Sequence, residues 1–145
     1  MAMSVREAFE RGTDAFNAHD MDAFGATFAD DVAQTAPGGM TSQGRDACIA
    51  FYSIWIEAFP DAHVDVHDVV ITDDVAVEEG TFSGTHNGVF HSPMGDIPPS
   101  GKTVHAPYIQ VLRYRDGKCV SANLMFDRMD LLEQLGLLPA ATAAG

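Results

Sequence analysis

A two-residue turn at Asp116-Gly117 brings several polar side chains together, because this dipeptide favours a tight β-hairpin. In such a hairpin Arg115 pairs with Lys118 and, further along the strands, Gln110 pairs with Asn123. Side chains alternate between the two faces of a strand, so this register predicts which residues share a face. One face is predicted to carry Tyr108, Gln110, Asn123, Met125 and Asp127.

The polar side chains of this face have the chemistry to bind an oxygen atom of a ligand. Gln110, Asn123 and Tyr108 can donate hydrogen bonds to a carbonyl or enolate oxygen, and a few such groups beside Met125 are typical of a ligand cavity. Two simpler interpretations stay open: the opposed Gln110 and Asn123 satisfy each other, or the whole face is solvated. For Asp127 alone, a helix cap or a surface charge is the simplest interpretation.

The opposite face of the predicted hairpin is continuously apolar. It consists of Ile109, Val111, Val120, Ala122, Leu124 and Phe126. Such a face needs cover, so we expect helices to close over a cavity on the polar face and a second copy of the chain to cover the apolar face. The sequence therefore predicts a homodimer. Periodicity leaves open that the helices pack on the apolar face instead.

Aromatic side chains and a histidine are further candidates for the cavity. Trp55, Tyr52 and Phe59 recur at helical spacing, which is typical of a core face, although a helix that closes a cavity can also present them to a ligand. His86 lies at the end of a predicted strand. It either lines the mouth of the cavity or only ends the strand, and we favour the cavity for both His86 and Trp55.

One short segment has the residue types of a metal site. His63, Asp65 and His67 share a strand face, and imidazole and carboxylate are common metal ligands. Their regular alternation with apolar residues favours a solvated strand face. The sequence also has no Gly-rich phosphate-binding fingerprint. We therefore expect neither a metal nor a nucleotide cofactor.

Three helices are predicted in the first half of the chain. Ser4 and Glu7 form a capping-box pattern at the start of the first helix, and Asp20 can cap a short second helix. A short strand at residues 32–35 follows. Apolar residues at three- and four-residue spacing then predict a helix over residues 44–59, which Pro60 ends.

Strands dominate the second half. Alternating apolar residues begin at Ala62, a second strand covers residues 75–86, and a long loop covers residues 87–101. The Asp116-Gly117 hairpin follows, and residues 131–135 fit a short C-terminal helix. Three helices followed by a curled antiparallel sheet indicate an α+β fold in which helices close over a pocket on one sheet face.

Composition limits the classes of partner. The 145 residues, 46% of them hydrophobic, are enough for one domain over residues 1–145, with residues 140–145 expected to fray. A net charge of −13 opposes binding to nucleic acid or to an anionic membrane. No apolar run reaches the length of a membrane span and no leader pattern is present, so we expect a cytoplasmic protein. Cys48 and Cys119 lie in apolar segments and are expected to be buried, reduced thiols.

Four segments, taken in order, resemble the SnoaL-like polyketide cyclase and ester cyclase family. They are residues 83–88, residues 97–102, residues 113–118, and Asp127 followed by residues 131–139. The resemblance implies the cone-shaped α+β fold of the nuclear-transport-factor-like superfamily. It also implies that the carboxylate before the final helix, Asp127 in this chain, is the catalytic acid/base.

The resemblance also implies a reaction. The expected activity is cofactor-free, aldol-type acid/base chemistry on a hydrophobic polyketide or 1,3-dicarbonyl substrate, with one carboxyl removing a proton and later returning it. Asn123 replaces an aromatic residue that is usual in the family, and Leu124 replaces an acidic one. Two alternatives stay open: an isomerase, dehydratase or hydrolase on the same fold, and a non-catalytic module that binds a small hydrophobic ligand.

Overall fold

The computed structural model describes residues 3–138, which form four helices, a six-stranded sheet and a small two-stranded sheet. The helices are α1 (Val5–Asn17), α2 (Met21–Gly25), α3 (Arg45–Ala58) and α4 (Arg128–Gln134). The strands are β1 (Phe28–Ala36), β2 (Met40–Gln43), β3 (His63–Ile71), β4 (Val75–Thr85), β5 (Phe90–Ser92), β6 (Gly95–Ile97), β7 (Thr103–Arg115) and β8 (Lys118–Phe126). None of the described helices is long and apolar enough to cross a membrane. The predicted fraying of residues 140–145 lies outside the described residues.

Local signals position the helices as predicted. The Ser4 hydroxyl accepts the Glu7 amide proton at 3.1 Å at the start of α1, and the Asp20 carboxylate accepts that of Ala23 at 3.0 Å at the start of α2. Because these caps satisfy amides that have no partner inside the helix, they fix where each helix begins. Helix α4 begins earlier than predicted, since Asp127 caps it.

The large sheet is mixed, which corrects the prediction of an antiparallel sheet. Its strand order is β2-β1-β8-β7-β4-β3, and β1 runs parallel to β8 while the other neighbours are antiparallel. Strands that follow one another in the sequence can be predicted to pair as antiparallel hairpins. The parallel pairing of β1 with β8 could not be predicted in this way, because most of the chain separates these two strands. Two short elements were also not predicted: strand β2, and the β5–β6 hairpin inside the supposed loop. They are too short to show alternation.

The helices cover one face of the sheet, as predicted, and the core lies between them. Phe24 of α2 packs edge-on against Phe28 and against Tyr52, with ring centroids 5.0 Å apart in both pairs. Alternate residues of β4 and β7 are buried against the helices. The α+β architecture with helices closing over the sheet is therefore confirmed.

A β-bulge changes which residues of β8 face the helices. The turn forms at Asp116-Gly117, and Arg115 pairs with Lys118 as predicted. After the next pair the register slips by one residue, so that Arg113 faces Ser121 and Val120 is the extra residue. Because side chains alternate, a one-residue slip reverses the face of every later residue. The buried side of β8 therefore carries Ala122, Leu124 and Phe126.

Candidate functional site

A cavity of about 110 Å³ lies between the helices and the covered face of the sheet. Side chains of α1, α2 and α3 form one wall, and those of β4, β7 and β8 form the other. Most of the lining is apolar or aromatic. Four adjacent polar side chains interrupt it, and we call them the polar cluster: Tyr52, Glu78, Tyr108 and Gln110.

The pairing of β4 with β7 assembles the polar cluster. Glu78 is directly opposite Gln110, and Gly80 is opposite Tyr108. A Cβ atom on Gly80 would lie 2.7 Å from the Tyr108 hydroxyl oxygen and 2.6 Å from the Asp65 carbonyl oxygen. Glycine at position 80 is therefore what leaves room for the Tyr108 phenol to lie across β4 beside Glu78.

Glu78 has the environment of a proton-transfer group. Its side chain is only 4% exposed, and none of the described residues that line the cavity is basic. Burial raises the pKa of the Glu78 carboxyl, and Tyr108 and Gln110, which face it as potential donors, oppose this shift only in part. A carboxyl whose pKa is raised towards neutrality can both accept and return a proton at working pH.

Tyr108 provides an unused hydrogen-bond donor. Its hydroxyl is buried and forms no hydrogen bond of good geometry within the described residues, even though Glu78 is close. Burial, followed by the charge of Glu78, raises the pKa of Tyr108 well above its ordinary value, so the phenol keeps its proton. A buried donor without a partner is costly, and a ligand oxygen in the cavity would satisfy it.

Tyr52 orients the amide of Gln110. The Tyr52 hydroxyl donates to Gln110 Oε1 at 2.7 Å. With its oxygen occupied in this way, Gln110 presents its NH₂ group to Glu78 and to the cavity. The polar cluster therefore offers one carboxyl and two donors, Tyr108 and Gln110, on one wall of an apolar cavity.

Three of the predicted ligand-binding residues lie in the cavity wall: Tyr108, Gln110 and Trp55. The prediction was wrong for Asn123 and Met125, which the bulge turns to the other face of the sheet. Asn123 Oδ1 accepts a hydrogen bond from Thr35 Oγ1 at 2.9 Å, and Met125 is 56% exposed. Gln110 and Asn123 are not opposed, so the interpretation that they satisfy each other is also wrong.

His86 does not line the cavity, contrary to the prediction. It is fully buried, and its Nδ1 accepts the amide proton of Ser100 at 3.2 Å. Its own amide donates to the Lys102 carbonyl at 2.8 Å, and its ring lies against Phe59. Burial lowers the pKa of His86, which favours the neutral ring. His86 therefore anchors the segment that leads into β7.

Asp127 lies outside the described lining of the cavity, contrary to the predicted geometry. It follows the last residue of β8, Phe126, which takes the inward position. The Asp127 side chain is exposed, and its carboxylate accepts the amide proton of Asp130 at 3.1 Å. This contact caps α4. The catalytic role that the family resemblance implies for Asp127 stays a prediction.

Two further predictions concern the possible metal ligands on β3 and the two cysteines. His63, Asp65 and His67 are exposed on β3, as predicted for a solvated strand face. Cys48 and Cys119 are buried free thiols, also as predicted. Burial raises the pKa of Cys119 to about 12, so the thiol stays protonated although it lines the cavity.

Sequence reasoning missed Glu78. The signal was present in β4, where a single acidic residue alternates with Ala76, Gly80 and Phe82. The competing alternation of Val75 and Val77 made the other face an equally good candidate for burial. Only the pairing with β7 decides between them.

Comparisons with known proteins agree with this architecture. A sequence model of the SnoaL-like polyketide cyclase family matches residues 6–135, whereas no curated protein matches the sequence. Among solved structures, a candidate SnoaL-like polyketide cyclase from Jannaschia Sp. CCS1 has a TM-score of 0.82 and 23% identity, with 93% of each chain covered. IdmH, a candidate polyketide cyclase from Streptomyces antibioticus, has a TM-score of 0.76 and 25% identity over 92% of this chain and 99% of its own. TerC, crystallised with polyporic acid, has a TM-score of 0.73 and 18% identity over 91% of this chain and 98% of its own.

Proposed function

The chain belongs to the SnoaL-like polyketide cyclase family, and from that premise we propose that it is an enzyme that performs cofactor-free acid/base chemistry on a hydrophobic, ketone-bearing substrate. The observation that carries the proposal is Glu78, a buried carboxyl that has no basic partner among the described residues lining a mainly apolar cavity. We assign the acid/base role to Glu78. Asp127 is the rival for that role.

The chemistry that fits this geometry is an intramolecular aldol reaction. The Glu78 carboxylate takes a proton from a carbon next to a carbonyl group, which leaves an enolate and a neutral carboxylic acid. The enolate carbon attacks a second carbonyl carbon of the same molecule, and the resulting alkoxide takes the proton back from Glu78. No atom is gained or lost, so neither an oxidant nor a reductant is needed.

Tyr108 and Gln110 are suited to stabilise the enolate. Each can donate a hydrogen bond to the oxygen on which negative charge develops, and donors in an apolar cavity act more strongly than in water. Because Tyr52 holds the Gln110 amide by its oxygen, the NH₂ group is oriented before the substrate arrives. Tyr52 is thus a positioning residue in this proposal.

The lining of the cavity supports a hydrophobic substrate. Phe9, Phe28 and Phe82 are among the side chains that form its walls, beside Tyr114 and Trp55. TerC was crystallised with polyporic acid, which supports a small hydrophobic ligand for this chain as well. The identity of the polyketide or related ketone is left to experiment.

A proton-exchange measurement tests the proposal without knowledge of the natural substrate. Benzylacetone is a small hydrophobic ketone whose protons next to the carbonyl exchange slowly in neutral D₂O. We expect the protein to accelerate deuterium incorporation at those carbons, as followed by NMR. Quenching of Trp55, the single tryptophan of the chain, would report that the ketone is bound. A ketone that binds but exchanges no faster than in buffer would contradict the acid/base function.

We also propose that the protein is a homodimer. The bulge places Leu124 and Phe126 inside, so they cannot form the interface, but Ile109 and Met125 remain 47% and 56% exposed on the outer face of the sheet. We expect light scattering to report a dimer, and Ile109→Asp to give a folded monomer because a charge would be buried at the interface. A monomeric parent protein would contradict the proposal.

A further inference from the structure

A second, smaller cavity of about 30 Å³ lies beside the first, and we call it the outer cleft. The β5–β6 hairpin, α3 and the start of α4 surround it. Its lining is apolar apart from Ser92, His91 and Arg128. A volume of this size accommodates a group of a few atoms, since about 10 to 15 Å³ measured in this way holds one water molecule.

The outer cleft and the main cavity share a wall. Trp55, Phe126 and Leu131 line both spaces. The Trp55 ring packs edge-on against Phe126, with centroids 5.4 Å apart, and lies tilted against Phe90, with centroids 5.0 Å apart. Because only these shared side chains separate the two spaces, rotation of Trp55 away from the wall would let one elongated ligand occupy both.

Arg128 gives the outer cleft a positive charge without a partner. Its side chain forms neither a hydrogen bond nor an ion pair with any described residue, in a chain of 21 acidic residues. The other half-buried arginine, Arg45, pairs with Asp30 at 2.8 Å. The Arg128 guanidinium lies 3.1 Å from the point that a Cβ atom on Gly38 would occupy, so the glycine leaves space for it.

Two carboxylates beside the outer cleft, Asp96 of β6 and Glu57 of α3, are already engaged with His91. His91 contacts Asp96 at 2.7 Å and Glu57 at 3.2 Å, and these two carboxylates raise the pKa of His91. A protonated His91 offsets part of their negative charge. Arg128 therefore remains the free group in the lining of the outer cleft that can recognise an anion.

We propose that the outer cleft is an anion-binding subsite in which Arg128 holds the carboxylate end of an elongated hydrophobic substrate. The planar guanidinium matches a carboxylate with two parallel hydrogen bonds. The ketone group at the other end of that molecule would lie in the main cavity against Glu78 and Tyr108. For that end, the proposal rests on the proposed function. The substrate class is thus a hydrophobic keto acid.

A matched pair of ligands tests the subsite by binding alone. Phenylbutanoate and phenylbutanamide share their shape and differ in charge, and calorimetry gives the dissociation constant of each. We expect the parent protein to bind the acid at least about tenfold more tightly than the amide. Arg128→Gln should abolish this preference while leaving the affinity for the amide unchanged, and Arg128→Lys should restore only part of it.

Arg113→Gln is the control, because Arg113 is an exposed arginine on β7 and its loss changes the net charge equally. Equal affinities of the parent for acid and amide, or the same loss in Arg113→Gln, would overturn the subsite. Acetate that competes as strongly as phenylbutanoate would show a site for small anions only and would also overturn it. Because these readouts involve no turnover, they separate a failure of the subsite from a failure of the Glu78 chemistry.

Discussion

Replacing Glu78 by Gln is expected to lower the rate of ketone proton exchange by roughly 10² to 10⁴, the usual contribution of general acid/base assistance. Gln has nearly the shape of Glu and preserves the packing beside Tyr108, but it cannot take a proton from carbon. The loss should therefore appear in kcat, with KM little changed. Asp127→Asn is the matched variant, and we expect it to keep most of the parental rate, since Asp127 caps α4 outside the described cavity lining.

Thermal unfolding shows whether Glu78→Gln leaves the fold intact. The raised pKa of Glu78 means that the folded state keeps a proton that the unfolded chain releases above about pH 4.3. The stability of the parent therefore falls as the pH rises from about 4.3 through the pKa of Glu78 in the folded state. Gln has no such proton, so the variant should match the parent at pH 4 and melt at a higher temperature at pH 8.

The two variants separate the competing assignments. Loss of exchange in Asp127→Asn with full exchange in Glu78→Gln would establish the role that the family resemblance implies and would reject Glu78. Loss in both would mean that the two carboxyls act in sequence. Full exchange in both variants would exclude both Glu78 and Asp127 as the acid/base.

Much of the fold was predictable because its determinants are local. The caps at Ser4 and Asp20, the Pro60 stop and the Asp116-Gly117 turn each act within a few residues of where they occur. The parallel pairing of β1 with β8 was not predictable in this way. It joins segments that lie far apart in the sequence, and neither strand alone reveals its neighbour.

The site was less predictable because its geometry depends on single residues. One extra residue, Val120, moved Asn123 and Met125 out of the cavity while leaving Tyr108 and Gln110 of the partner strand in it. Glu78 became a candidate only through its pairing with Gln110. A bulge adds one unpaired residue to one strand, and simple alternation does not account for that residue, so alternation alone assigned the wrong face of β8.

Gly80→Ala is expected to destabilise the protein by about 1 to 3 kcal/mol, the usual cost of overpacking. The new methyl group would lie 2.6 Å from the Asp65 carbonyl oxygen of the neighbouring strand and 2.7 Å from the Tyr108 hydroxyl oxygen. The backbone contact cannot be relieved by rotating a side chain, so β3 or β4 must move, and Tyr108 must also move away from the methyl group. Movement of Tyr108 would also withdraw a donor from the cavity, and ketone binding should weaken.

Gly12→Ala makes the same chemical change, but we expect it to increase stability. Gly12 lies inside α1, and a Cβ atom there would meet nothing closer than the Thr27 hydroxyl oxygen at 3.8 Å. Alanine favours the helix and restricts the unfolded chain, so this variant should be more stable by about 0.4 to 1 kcal/mol. Denaturant unfolding of both variants measures the contrast. If Gly80→Ala were as stable as the parent, Tyr108 could not be held against β4 as described, and the polar cluster would lose the donor that lies next to Glu78.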